Sequence, residues 1–126
     1  MIGTETSTYI FVNGVLLSRR YITTESGTAI TTADVNSIKL NVYELSCNGT
    51  ANYNRTVVEH YDDVELTVSD VISDTVQTDS NNQKFNFQYC VEGAFTKPNT
   101  TYVVEYTLTM ADTHTVIIAI YATTLS

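Results

Sequence analysis

The fold is decided by residues 101–123, TYVVEYTLTMADTHTVIIAIYAT. Tyr102, Val104 and Tyr106 alternate there with other residues, the period of two that a strand with one buried face requires. After a short polar break at Asp112, a second run of β-branched and aromatic residues follows. The pattern predicts two adjacent antiparallel strands joined by a turn at Asp112.

Other parts of the chain repeat this alternation. Phe85, Phe87, Tyr89 and Val91 share one parity and are expected to face the core, whereas Cys90 falls on the opposite face. Residues 69–82 lack the pattern and predict a long connection with one short helical turn. The fold class expected is all-β, a single immunoglobulin-like antiparallel sandwich of about seven strands. Further strands are predicted near residues 37–43, 54–60 and 63–68.

The N-terminal segment has its own character. Tyr9–Val12 and Val15–Leu17 flank Asn13-Gly14, a dipeptide typical of tight hairpin turns. This predicts either a hairpin or an extended arm. The expected organisation is therefore an arm or hairpin over residues 1–28, followed by a sandwich over residues 29–126.

Composition and charge narrow the range of partners. The chain has 126 residues, 22 of them Thr and 14 Val, which is enough for one β-rich domain. Fourteen acidic against six basic side chains give a net charge of −8, which disfavours nucleic acid and anionic membrane as partners. The first 17 residues lack the basic start and unbroken apolar run of a secretory signal, so a cytosol-like compartment is expected.

Chemistry-bearing motifs are sparse, and no enzyme activity and no cofactor are expected. The two histidines, His60 and His114, show no zinc-site spacing, and no Gly-x-Ser-x-Gly nucleophile elbow is present. Cys47 and Cys90 allow either one disulfide or two free thiols, with free thiols favoured. An acidic series offers oxygen ligands for calcium but lacks the calcium-loop spacing: Asp62, Asp63, Asp70, Asp74 and Asp79.

Aromatic and apolar residues near the N-terminus and in loops are the expected partner-binding set, since such side chains commonly anchor interfaces. Carbohydrate binding is an alternative, weakened by the absence of Trp. Tyr102 lies two residues before an inward position, where it predicts either a tyrosine corner or a plain core residue. The predicted partner-binding residues are Tyr9, Phe11, Leu16, Leu17, Tyr21 and Tyr121.

Four segments together resemble a group of small proteins encoded among the head and tail genes of tailed bacteriophages. The resemblance spans residues 29–125, and its most specific part is the run VSDVISDTVQTD at Val68–Asp79. Ser80–Gln83 departs from the group, which usually has an aromatic residue and a glycine there. The resemblance implies an immunoglobulin-like virion component and leaves residues 1–28 as an attachment device. The other segments are Ala33–Leu45, Phe85–Phe87 and Thr101–Tyr106.

The expected function follows from this resemblance together with the edge strands and the N-terminal segment. It is a capsid decoration (cement) protein of the virion, bound to the major capsid protein or other virion proteins and homo-oligomeric or lattice-bound. Edge strands can extend a neighbour's sheet through main-chain hydrogen bonds. A neck, tail or baseplate component and a carbohydrate or host-surface binding module are the alternatives.

Overall fold

A computed structural model of the protein describes residues 4–47 and 53–125. Within these residues the chain forms nine strands, one short 3-10 helix at Thr32–Asp34 and one helical turn, α1, at Val68–Val71. None of these helices has the length and hydropathy needed to cross a bilayer. The strands are β1 (Thr4–Phe11), β2 (Leu16–Arg20), β3 (Val35–Cys47), β4 (Tyr53–Val57), β5 (Val64–Leu66), β6 (Ile72–Thr78), β7 (Lys84–Val91), β8 (Thr101–Met110) and β9 (Thr115–Leu125).

Two sheets pack face to face, so the predicted all-β sandwich is confirmed. The large sheet has the order β1-β9-β8-β3-β4, with β5 also paired to β3, and the small sheet has the order β2-β7-β6. Their inner faces meet in one core. There the ring of Phe87 from the small sheet lies edge-on to that of Tyr106 from the large sheet, with the ring centres 4.9 Å apart. The expected two-layer core is therefore formed by alternate residues of both sheets.

The central strands follow the predicted alternation. Ile38, Leu40 and Val42 of β3 are fully buried, as are Tyr106 and Leu108 of β8. β8 and β9 pair from Thr101–Thr123 to Thr109–Thr115, and the hairpin turn contains Asp112 as predicted.

The N-terminal segment departs from both predictions made for it. β1 does not form a hairpin with β2, because β1 pairs in parallel with β9 and β2 pairs with β7 in the other sheet. The sheet is consequently mixed rather than purely antiparallel. Asn13 and Gly14 carry the chain between the sheets: the Asn13 amide donates to the Phe95 carbonyl at 2.7 Å and the Gly14 amide to the Phe11 carbonyl at 2.8 Å. Residues 4–20 thus belong to the sandwich, and the predicted division at residue 28 does not separate an arm from a body.

Two local predictions in the small sheet were also wrong. Residues 72–78, predicted as a connection, form β6, whose pairing with β7 is irregular between Ile72 and Gln77. Phe85, predicted to face the core, is only half-buried and lies outside the core cluster. The cause is the same break in register, which takes this end of β7 out of strict alternation.

The side chain of Asn86 holds the loop between β2 and β3 against the small sheet. Its buried side chain accepts from the Ile22 amide and donates to the Ile22 carbonyl, both at 2.8 Å, and it also donates to the Ile30 carbonyl at 3.3 Å. Ile22 and Ile30 are thereby buried in the core, although the loop around them is polar. The Asn86 amide thus adds to the loop's own pairing, in which the Ile30 amide donates to the Ile22 carbonyl at 3.1 Å.

Candidate interaction surface

The structure separates the six predicted partner-binding residues into three places. Leu16 is 8% exposed and belongs to the core, because it faces inward opposite Val91. Its assignment to a partner surface was therefore wrong. Tyr9, Phe11 and Tyr121 lie on the outer face of the large sheet, whereas Leu17 and Tyr21 lie on the small sheet's side. The predicted set is not one surface.

Tyr9 and Phe11 form the most exposed apolar feature of the described residues. Each is 74% exposed, since both side chains point to the outer face of the sheet. Phe11 pairs with Leu125 of β9, Tyr9 with Thr123 and Ser7 with Tyr121, so these side chains share one face of two neighbouring strands. We call Tyr9, Phe11, Tyr121 and Leu125 the β1 patch. Leu125 was missed in the sequence, although it continues the period of two from Tyr121.

The centre of this outer face is covered by its own side chains. Val103 lies on it, between Tyr43 and Tyr121 in the register, and yet is fully buried. The Arg55 guanidinium lies 5.2 Å from the centre of the Tyr43 ring and 3.5 Å from a Glu105 carboxylate oxygen. Burial raises the pKa of Tyr43, and Glu105 adds to this. The centre of the face is therefore covered. Away from the β1 patch, its exposed large apolar side chains are Ile117 and Val57, at 41% and 40% exposure against 74% for Tyr9 and Phe11.

The small sheet carries a second exposed group, Leu17 and Tyr21, with Val15 just before β2. Here basic side chains cover the aromatic rings: the Lys84 Nζ lies 5.8 Å from the centre of the Tyr21 ring, and the Arg19 guanidinium 4.5 Å from that of Phe85. Such cation–π contacts shield aromatic surface from partners. This side is consequently more polar than the β1 patch.

Cys90 lies on the outer face of the same sheet, opposite Leu17 in the register. It is exposed, as its parity predicted, and its thiol is free. The side chain of Cys47 lies outside the described part of the structure, so its free thiol stays a prediction.

Tyr102 has a structural role rather than a binding role. Its ring is buried against Phe95, with the ring centres 5.2 Å apart, and its hydroxyl accepts a hydrogen bond from the Lys97 amide at 3.1 Å. A hydroxyl bonded to backbone a few residues upstream is the geometry of a tyrosine corner. Phe95, buried in the loop before β8, had not been identified in the sequence.

An open groove of about 550 Å³ adjoins Tyr121 and bears on the carbohydrate alternative. Sugar binding needs an aromatic platform with hydroxyl or amide groups that remain available. The Thr100 hydroxyl donates to the Pro98 carbonyl at 2.9 Å, and the Thr101 hydroxyl is bonded to Thr123 at 3.0 Å. Glu44 accepts from Lys97 at 3.0 Å. Much of the groove's polar lining is thus engaged within the protein.

The histidines occupy exposed turns. His114 Nδ1 lies 2.9 Å from an Asp112 carboxylate oxygen, while the other oxygen accepts from the His114 amide at 3.0 Å. These bonds hold the pKa of Asp112 below its usual range. Ser26 lines a shallow cleft together with Asp112 and His114, and its hydroxyl bonds to those of Thr24 and Thr28. The Asp112–His114 contact closes the β8–β9 turn.

Three of the five acidic side chains considered for calcium hold backbone and loops. Asp74 accepts from the Thr32 amide at 2.7 Å, and Asp79 accepts from the amides of Asn81 and Gln83. Asp63 and Asn41 exchange two hydrogen bonds, of 2.7 and 3.0 Å. In residues 4–47 and 53–125, no three acidic, histidine or cysteine side chains converge as a metal site would require.

Comparisons with family models, with curated proteins and with solved structures found no match for the chain. The phage resemblance in the sequence therefore stays a prediction. The β1 patch, and the architecture that exposes it, are the structural features that bear on function.

Proposed function

We propose that the protein is a structural subunit of a bacteriophage virion, a decoration protein that binds the head lattice through the β1 margin of its large sheet. The observation that carries this proposal is the β1 patch, with Tyr9 and Phe11 each 74% exposed. Contiguous exposed aromatic residues on a small acidic protein are typical of a protein–protein interface. The resemblance over residues 29–125 supplies the phage context.

The immunoglobulin-like assignment is part of the proposal, and two observations support it. The small sheet order β2-β7-β6 and the large sheet order β3-β8-β9 correspond to the B-E-D and C-F-G orders of immunoglobulin sandwiches. The bond from the Lys97 amide to the Tyr102 hydroxyl supplies the tyrosine corner. β1 departs from the constant-type order, since it joins β9 rather than β2.

The test is incorporation into particles of the double variant Tyr9→Lys, Phe11→Lys. Two lysines on exposed positions remove the apolar contact while leaving the core intact, so we expect incorporation to fall about tenfold or more. Val57→Lys is the matched control, because Val57 is exposed on the same sheet at its opposite margin. Normal incorporation of the double variant would contradict the proposal.

Copy number in purified particles places the protein within the virion. Hundreds of copies correspond to a subunit spread over the capsid lattice, which is the proposed position. A number matching one closed ring would instead favour the neck or tail. Quantitative mass spectrometry of intact particles measures this directly.

A further inference from the structure

The edge strands of the two sheets differ in how far their unpaired backbone N–H and C=O groups are protected from pairing with another chain. β2 is five residues long, and its Arg20 guanidinium donates to the Arg19 carbonyl at 2.7 Å. β6 has an irregular register, and the side chains of Ser73 and Gln77 both donate to the Thr75 carbonyl, at 2.7 and 3.1 Å. Charge, short length and irregularity are the devices that keep sheet edges from pairing with other chains.

β1 is neither short nor irregular, and its one charged residue is Glu5. It runs for eight residues in unbroken register with β9, and its sequence TETSTYIF contains no Pro, Lys or Arg. Among the described strands, none pairs with β1 on the side away from β9. One side-chain contact reaches its carbonyls, from the Thr8 hydroxyl to Tyr9 at 3.5 Å, which is at the outer limit of a hydrogen bond. β1 therefore presents a regular row of backbone donors and acceptors beside the β1 patch.

We infer that β1 accepts an extended, basic segment of a partner protein, which adds as a further strand to the large sheet. This deepens the proposed function and rests on it for the partner's identity. Extended backbone is the chemistry that satisfies alternating N–H and C=O groups along a strand. Apolar side chains at alternate positions of the segment would pack on Tyr9 and Phe11.

Charge favours a different, basic chain over a second copy of this protein. Each copy carries −8, so two copies repel at close approach, whereas a basic segment is attracted. Arg55 and Lys97, two of the six basic side chains, are already paired with Glu105 and Glu44. Each of these pairs cancels one positive and one negative charge, so the net negative charge of the protein remains and attracts a basic partner.

The experiment measures amide hydrogen exchange with a short synthetic peptide of alternating threonine and valine that carries lysine at each end. We expect slower exchange within residues 4–11, and about tenfold weaker binding when the end lysines are replaced by glutamates. Tyr9→Lys should abolish the protection, whereas Val57→Lys, which adds the same charge at the opposite margin, should retain it. Because Tyr9 is exposed, the variant's fold is expected to be unchanged, and thermal unfolding checks this.

Several outcomes would overturn the inference. Protection confined to β4 or β6, or none at all, would show that β1 is not the receptive edge. Sedimentation that shows a dimer abolished by Tyr9→Lys would assign the edge to a second copy. Particle incorporation with β1 unprotected would overturn this inference while leaving the proposed function intact. Peptide binding at β1 without incorporation into particles would overturn the proposed function while leaving this inference intact.

Discussion

β8 and β1 belong to the same sheet, separated by β9, and they use tyrosine in opposite ways. In β8, Tyr102 and Tyr106 are buried, and their hydroxyls are bonded to Lys97 and Ser18. In β1, Tyr9 is 74% exposed, and Ile10 is the buried apolar residue of the strand. The two tyrosines of β8 point into the core between the sheets, whereas Tyr9 points to the outer face of the large sheet, so the same residue type is structural in one strand and available in the other.

The largest expected difference comes from removing one tyrosine from each strand. Tyr106→Ala should lower the free energy of unfolding by about 3–5 kcal/mol, because its ring packs against Phe87 and Tyr89 in the core. Tyr9→Ala should change it by about 0.5 kcal/mol or less. Urea titrations of both variants measure the contrast. Equal losses would mean that the Tyr9 side chain is packed as extensively as that of Tyr106.

A smaller effect is expected where β1 leaves its sheet. A Cβ at Gly14 would lie 2.7 Å from the Phe11 carbonyl oxygen and 2.9 Å from Ile10 Cγ1. Because a backbone carbonyl cannot move aside, Gly14→Ala should cost about 1–3 kcal/mol in unfolding free energy. Val15→Ala, at the exposed next position, is the control and should be close to neutral. Wild-type stability of Gly14→Ala would contradict the tight crossing.

Tyr102→Phe probes the corner at the start of β8. The variant keeps the ring against Phe95 but leaves the Lys97 amide without its acceptor. We expect a loss of about 1 kcal/mol, measured by urea titration. Tyr121→Phe, which removes a hydroxyl from the outer face, serves as the control. An unaffected Tyr102→Phe variant would show that packing alone holds the corner.

The smallest effect appears only at alkaline pH. Burial raises the pKa of Tyr106 well above its usual range, and the hydrogen bond to Ser18 opposes this only in part. In the unfolded chain tyrosine ionises near pH 10, so the folded state holds more protons above that pH and stability falls as pH rises. Tyr106→Phe should therefore make stability decline less steeply between about pH 9 and 11. Tyr9→Phe is the control, and an identical slope for Tyr106→Phe would contradict the assignment.

Much of the architecture could be predicted from alternation alone. β3 and β8 have long runs of period two, and their inward residues were identified correctly, whereas β9 was predicted only as a strand, from its run of β-branched and aromatic residues. The pattern failed for β6, because that strand is exposed along most of its length and has no buried face to mark it. It also failed at Phe85, where a break in register changes which side chain faces the core.

The sequence by itself determined that this chain forms an all-β sandwich, because the spacing of apolar residues dictates which face of each strand is buried. Only the tertiary structure decided that β1 and β2 belong to different sheets. It thereby placed Leu16 in the core and Tyr9 and Phe11 at an open margin. The physical reason is that periodicity fixes the two faces of a strand, whereas its neighbours in the sheet depend on long-range pairing that no local pattern encodes.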